Sequence, residues 1–193
     1  MKISLKSVTS YNLLIAISFG LLAIGFYSCS GGGKGTAGSS DTLRQSCINA
    51  IHASETQLKT LHTPDAAVYN NAITAYTRFA DNFPNDTVSP AYLFNAAGIA
   101  LSLNQYQRAI NLFDTINTKY PSFKKAADCI FIRGFIYDDK LKDTAKARAM
   151  YQQVIDKYPN DSLASQARAA IAILGKSYDE VIKEFEEKNK NKK

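Results

Sequence analysis

Few residues of this 193-residue chain are of the kinds that make or break bonds. It holds two histidines, His52 and His62, and three cysteines, Cys29, Cys47 and Cys129. A histidine acts as base or metal ligand only beside partners that orient it or complete the coordination set. These two lie ten residues apart. No HExxH, Walker loop, GxSxG or dinucleotide fingerprint appears in the chain. The expectation is a protein that is not an enzyme, with no catalytic residues, no metal and no cofactor. Two sequons, at Asn85 and Asn160, sit beside Asp86, Thr87, Asp161 and Ser162, which are better read as helix caps. Cys29 stands apart, because it closes an apolar run and opens a Gly/Ser-rich stretch.

The elements that position everything else show in a repeat. Aromatic-proline pairs recur at Phe83-Pro84, Tyr120-Pro121 and Tyr158-Pro159, spaced 37 and 38 residues apart. Twelve residues before each proline stands alanine: Ala72, Ala109 and Ala147. Eight before stand Tyr76, Phe113 and Tyr151, and five before stand Phe79, Ile116 and Val154. Within a copy the apolar residues follow helical spacing, as in Tyr69, Ala72, Ile73, Tyr76, Phe79, Ala80 and Phe83. Proline ends each helix by disfavouring α geometry in the residue before it. A second apolar segment precedes each later stripe, "PAYLFNAAGIALSL" and "ADCIFIRGFIYDD". Ala97 and Gly134 mark its close approach to Ala109 and Ala147. The third copy carries one extra residue between its helices.

At the start, Asp41 is expected to cap a helix carrying Leu43, Cys47, Ile48, Ile51, Leu58 and Leu61. Thr63 would cap the next, with Pro64 at its first position. Eight helices in four hairpins are therefore expected between about 41 and 188, each hairpin stacked on the last. Neighbouring helices pack about 8–10 Å apart, and a disulfide needs Cα atoms within about 7 Å. Cys47 and Cys129, two hairpins apart, should be free, buried thiols.

The N-terminus has the three parts of a secretory signal: Lys2 and Lys6, an apolar run over 13–26, then small residues ending in Ser28-Cys29. It resembles the lipobox of bacterial lipoproteins. That resemblance implies cleavage after residue 28, lipid on Cys29 and a tether over 29–40. Ser30, being other than Asp, implies the outer membrane by analogy with enteric lipoproteins. The net charge of +6 is concentrated at the ends. Besides Lys2 and Lys6, it includes Lys188, Lys190, Lys192 and Lys193, the last three in a basic tail over 189–193. The remaining 17 basic residues balance 17 acidic ones, which argues against a nucleic-acid partner.

The repeat resembles the tetratricopeptide repeat (TPR). "LSLNQYQRAINLF…YP" is its closest copy, "GFIYDDKLKDTAKARAMY…YP" the next, and "ILGKSYDEVIKEFEEK" a degenerate last one. The long helix ending in Tyr-Pro is similar to envelope TPR proteins of the BamD-like and YbgF-like (Tol–Pal-associated) kinds. The resemblance implies an all-α, TPR-like solenoid of about four antiparallel hairpins over 41–188. It also implies a concave groove lined by the first helix of each hairpin. Carried onto this chain, it puts Phe94, Asn95, Gly98, Leu101 and Ser102 in the groove from the second hairpin. Asp128, Phe131, Phe135, Asp138 and Asp139 follow from the third. Aromatics flanked by acids suit a peptide with some positive charge. The implied function is a lipid-anchored periplasmic scaffold for envelope proteins, in outer-membrane protein assembly or Tol–Pal-type coordination. The alternative is an accessory ligand- or glycan-handling lipoprotein of an uptake system.

Overall fold

The structure, a computed structural model, describes residues 37–60, 63 and 65–190. The expected leader over 1–28, Cys29, most of the expected 29–40 tether, Leu61, His62, Pro64 and residues 191–193 lie outside the described residues. All regular structure among the described residues is helical. The helices are α1 (Ala37–Thr60), α2 (Ala66–Asn82), α3 (Ser89–Ser102), α4 (Tyr106–Lys119), α5 (Ala126–Phe135), α6 (Thr144–Lys157), α7 (Ser162–Ile173) and α8 (Tyr178–Lys190). A single π-helical turn, Ile136–Lys140, continues α5. From α1 to α7 each helix packs on the next in the chain, and α5 also touches α7. The result is a stack of antiparallel hairpins.

The joints between hairpins repeat nearly atom for atom. Phe83, Tyr120 and Tyr158 take φ/ψ of −128/59°, −131/59° and −131/54°. Proline's ring keeps each preceding residue out of the α basin, yet each amide still donates to the helix it leaves. Phe83 N–H reaches Phe79 O at 2.9 Å, Tyr120 reaches Ile116 at 2.8 Å and Tyr158 reaches Val154 at 2.9 Å. The joint carbonyl then accepts from the residue three further on: Asp86 at 3.0 Å, Phe123 at 2.9 Å and Asp161 at 3.0 Å. Next comes a small buried residue, Ser89, Ala126 or Ala164, in the first turn of the new helix. Ser89 Oγ also donates to Phe83 O at 2.6 Å.

The buried face of each helix is the stripe expected from the sequence. Ala72, Ile73, Tyr76 and Phe79 of α2, Ala109, Ile110, Phe113 and Ile116 of α4, and Ala147, Tyr151 and Val154 of α6 are all buried. Each fully buried Phe stabilises the fold by about 2–3 kcal/mol. Tyr92 on α3 lies against two rings of α2, 4.9 Å from Phe79 and 5.4 Å from Tyr76, and so locks hairpin one to hairpin two. α5 is a shared wall: Cys129 and Ile136 belong to the core on one side, Ile130 to the smaller core on the other.

Several boundaries differ from the sequence reading. Asp41 does not cap α1, because the helix starts at Ala37 and includes the last residues of the expected tether. Nothing in "AGSS" interrupts the i→i−4 ladder. α2 is capped by Asp65, whose carboxylate takes Ala67 N–H at 2.8 Å, and not by Thr63. A carboxylate is the stronger acceptor at the positive end of a helix. At α3 the flanking residue is Val88, and Asp86 reaches its N–H at 3.1 Å. Asp161 caps α7 as expected, at 2.9 Å from Leu163 N. An unforeseen capping box starts α8: Ser177 N–H donates to Glu180 at 2.7 Å, and Glu180 N–H donates back to Ser177 Oγ at 3.3 Å.

The extra residue of the third copy is not a longer turn. It is absorbed as the π turn, closed by Leu141 N–H to Ile136 O at 3.0 Å, an i→i−5 bond. The left-handed residue that ends each first helix shifts with it. It is Asn104 (φ 59°) 20 residues after Pro84, and Lys142 (φ 56°) 21 after Pro121. In the fourth copy Gly175 (φ 79°) does this only 16 after Pro159, so α7 is about one turn short.

Two glycines separate packing from surface. A Cβ on Gly134 would stand 2.7 Å from Tyr151 Cε1, a ring held in the core, whereas one on Gly98 would meet nothing within 4 Å. Gly134→Ala should lose about 1–3 kcal/mol through overpacking. Gly98→Ala should gain up to about 1 kcal/mol from helix propensity. Urea unfolding followed by circular dichroism at 222 nm checks both signs.

Cys47 and Cys129 are free and buried, as expected. Burial, aided by the nearby Asp128 carboxylate, pushes the Cys129 thiol up to about 12. The unfolded thiol ionises near about 8.5. The folded state is therefore fully favoured below that pH and loses this contribution as pH rises towards 12. Urea midpoints should fall between pH 8.5 and 10, and Cys129→Ala should flatten that fall.

Candidate functional site

The first helix of each hairpin presents one face to the hairpin core and another to solvent. Counting from the joint prolines, Gly98, Phe135 and Ile173 occupy the same place, 14 residues on, in α3, α5 and α7. All three are exposed, Phe135 at 42% and Ile173 at 51%. These are high values for large apolar side chains, and α5 and α7 are in direct contact. Asn95 and Ser102 continue the exposed stripe along α3, three or four residues either side of Gly98.

The residues mapped to a groove from the sequence do not act as one surface. Phe94 is half-buried, with its ring 5.6 Å from Phe113 and 6.2 Å from Phe123. Lys125 Nζ covers it at 4.4 Å. Phe131 packs on Tyr151 at 5.3 Å, and Leu101 is half-buried against the larger core. These three side chains hold the stack together, because their positions on α3 and α5 turn them towards the second helices. Asn95, Gly98, Ser102 and Phe135 remain open.

Two of the three mapped carboxylates, Asp138 and Asp139, are already engaged. Asp139 is 2.7 Å from Lys140 and 3.6 Å from Lys142, and Lys140 beside it holds its carboxyl below the usual range. Asp138 and Asp128 are half-buried. Burial, with Asp138 and Asp139 next to the phenol, pushes Tyr151 up to about 12. Lys140 Nζ also stands 5.8 Å from the Phe135 ring. The exposed end of the third hairpin is therefore apolar with balanced charge, rather than acidic.

Ile173 was not singled out in the sequence, although its signal was present as the fourth-copy counterpart of Phe135. Leu141, 41% exposed at the end of the π turn, had no such signal. Between hairpins, Arg133 of α5 pairs with Asp114 of α4 at 2.9 Å. Among the described residues there is no group of three His, Cys, Asp or Glu placed to hold a metal. No described helix is long and apolar enough to cross a membrane.

A second concavity lies away from this face, between the first two joints. It has a volume of about 630 Å³ and is lined by Pro84, Val88, Pro90, Tyr120 and Phe123 with Lys119, Lys124 and Asp86 at its edges. Asp86 is held by Arg44 at 2.8 Å.

The tetratricopeptide repeat family model matches residues 128–161, from the middle of α5 through the third joint. This stretch is a tetratricopeptide repeat. It contains Gly134, Ala147, Tyr151 and Pro159, and the described residues fold as an all-α TPR-type solenoid. No curated protein matches. Solved structures that resemble the chain include the first TPR of Spaghetti (RPAP3) bound to the HSP90 peptide SRMEEVD, at 19% identity and TM-score 0.47, covering 67% of this chain and 92% of that one. The Arabidopsis OM64 TPR domain aligns at 16% identity and TM-score 0.46, covering 69% and 97%. MamA aligns at 18% identity and TM-score 0.43, covering 82% and 94%.

Two aromatic substitutions distinguish packing from open surface. Phe131→Glu should destabilise the chain by about 1–3 kcal/mol by placing a charge against Tyr151. Phe135→Glu should stay within about 0.5 kcal/mol. Thermal unfolding of the two variants tests the assignment.

Proposed function

We propose that the protein is a lipid-anchored scaffold of the bacterial envelope. Cys29 would carry the lipid, at the periplasmic face of the outer membrane. Partner proteins would dock on the exposed faces of α3, α5 and α7. The observation that carries the docking reading is the pair Phe135 and Ile173. Large apolar side chains stand exposed at one repeat position on two touching helices, and such aligned exposure marks an interaction surface. Support for the anchor comes from the sequence alone: the charged start, the apolar run, Ser28-Cys29 and the Gly-rich stretch behind them.

The decisive experiment is in-cell crosslinking and pull-down of the full chain, read by mass spectrometry, beside a Phe135→Glu/Ile173→Glu variant. Recovery of β-barrel assembly or Tol–Pal components, lost in the variant while its helical circular dichroism is kept, is the expected result. Recovery of uptake proteins alone, or equal recovery from both samples, would overturn it. Labelling cells with a radioactive fatty acid checks the anchor: Cys29→Ala should abolish incorporation and release the chain from membranes.

A further inference from the structure

The cleft between the first two joints belongs to neither the docking face nor the core, and its chemistry is lopsided. Its apolar lining, Pro84, Val88, Pro90, Ala91, Tyr120 and Phe123, is joined by the uncharged Asn85, Thr87 and Ser122. Val88 is 37% exposed there. Its one carboxylate, Asp86, is matched by Arg44, which donates from Nε at 3.1 Å and from Nη2 at 2.8 Å. Lys119 and Lys124 are both exposed and appear in none of the ion pairs among the described residues. The cleft therefore offers an apolar floor edged by two positive charges, and at about 630 Å³ it is large enough for several side chains.

The chain itself carries a matching shape. At the open end of the stack α8 has no fully buried side chain among its described residues, and Ile182 is 40% exposed. α8 contains five acids, Asp179, Glu180, Glu184, Glu186 and Glu187, against Lys183 in its middle and Lys188 and Lys190 in its last turn. Glu180 is committed to the capping box and Glu184 to Lys176 at 2.6 Å. Asp179, Glu186 and Glu187 are exposed. Asp179 and Glu186 lie three residues before and four after Ile182, so one helical face shows an apolar centre with a carboxylate a turn away on either side. That pattern is the complement of the cleft.

From this complementarity we infer that the protein self-associates by seating α8 of one copy in the inter-joint cleft of another. Ile182 enters the apolar floor, and Asp179 and Glu186 meet Lys119 and Lys124. The contact joins two different surfaces, so it closes into a dimer if exchanged reciprocally and grows into a chain if not. It is independent of the docking face, and loss of partners in the Phe135→Glu/Ile173→Glu variant would leave it intact.

Sedimentation velocity of the full chain in detergent tests it. Association in the micromolar range is expected at low salt, weakening about tenfold or more at 0.5 M salt. Lys119→Glu/Lys124→Glu and Asp179→Lys/Glu186→Lys should each be monomeric with unchanged circular dichroism. Mixed one to one, they should associate again, because each remaining contact then pairs opposite charges. A chain that is monomeric up to about 100 µM at low salt would overturn the inference. So would association that persists in both variants, which would belong to the leader or another surface, or a mixture that stays monomeric.

Discussion

Proline disfavours helical geometry in the residue before it, and at three joints this constraint organises the molecule. At each joint it turns the chain out of one helix while the amide still closes the last helical bond. The aromatic side chain of that residue stays partly buried against the core, and a small buried residue five places after the proline sits in the first turn of the next helix. Backbone angles agree within a few degrees at three joints. The turn of the chain at each joint is thereby set by local chemistry. That is how a stack whose units touch mainly their neighbours can be regular.

Once the joints are fixed, packing reduces to matching large residues with small ones. Tyr151 can lie flat against α5 because position 134 has no side chain. Ala97, Ala109 and Ala147 leave similar room. Departures from the repeat are absorbed where they cost least. The extra residue of the third copy winds into a π turn at the exposed end of α5, which keeps Ala147, Tyr151 and Val154 in register with their core. The shortened α7 needs no such repair, since no later hairpin depends on its length.

The surface follows a different logic from the core. Phe94, Phe131 and Phe135 are alike in composition and in neighbourhood. Two of them are nevertheless spent on ring contacts inside the stack, and one stands in solvent. Asp138 and Asp139 read as adjacent free acids, whereas one lies next to a tyrosine and the other between two lysines. A helix face is legible from periodicity, but the boundary between inward and outward faces shifts by about 100° per residue. One position of phase error therefore exchanges a packing residue for an exposed one.

The sequence by itself determined the helical class, the eight helices, the joints, the core stripes and the two buried thiols. Each of these rests on local preference or on a period summed over many residues, and such signals survive small errors. Only the tertiary structure decided which aromatics remain open, how the carboxylates are neutralised, where the extra residue goes and that two successive joints enclose a cleft. The π turn and the pairing of Asp139 with Lys140 are local, whereas the open aromatics and the cleft depend on groups far apart in the chain, such as Arg44 with Asp86 or Phe94 with Phe123. Their contacts exist only after the hairpins have stacked, and no period in the chain encodes them.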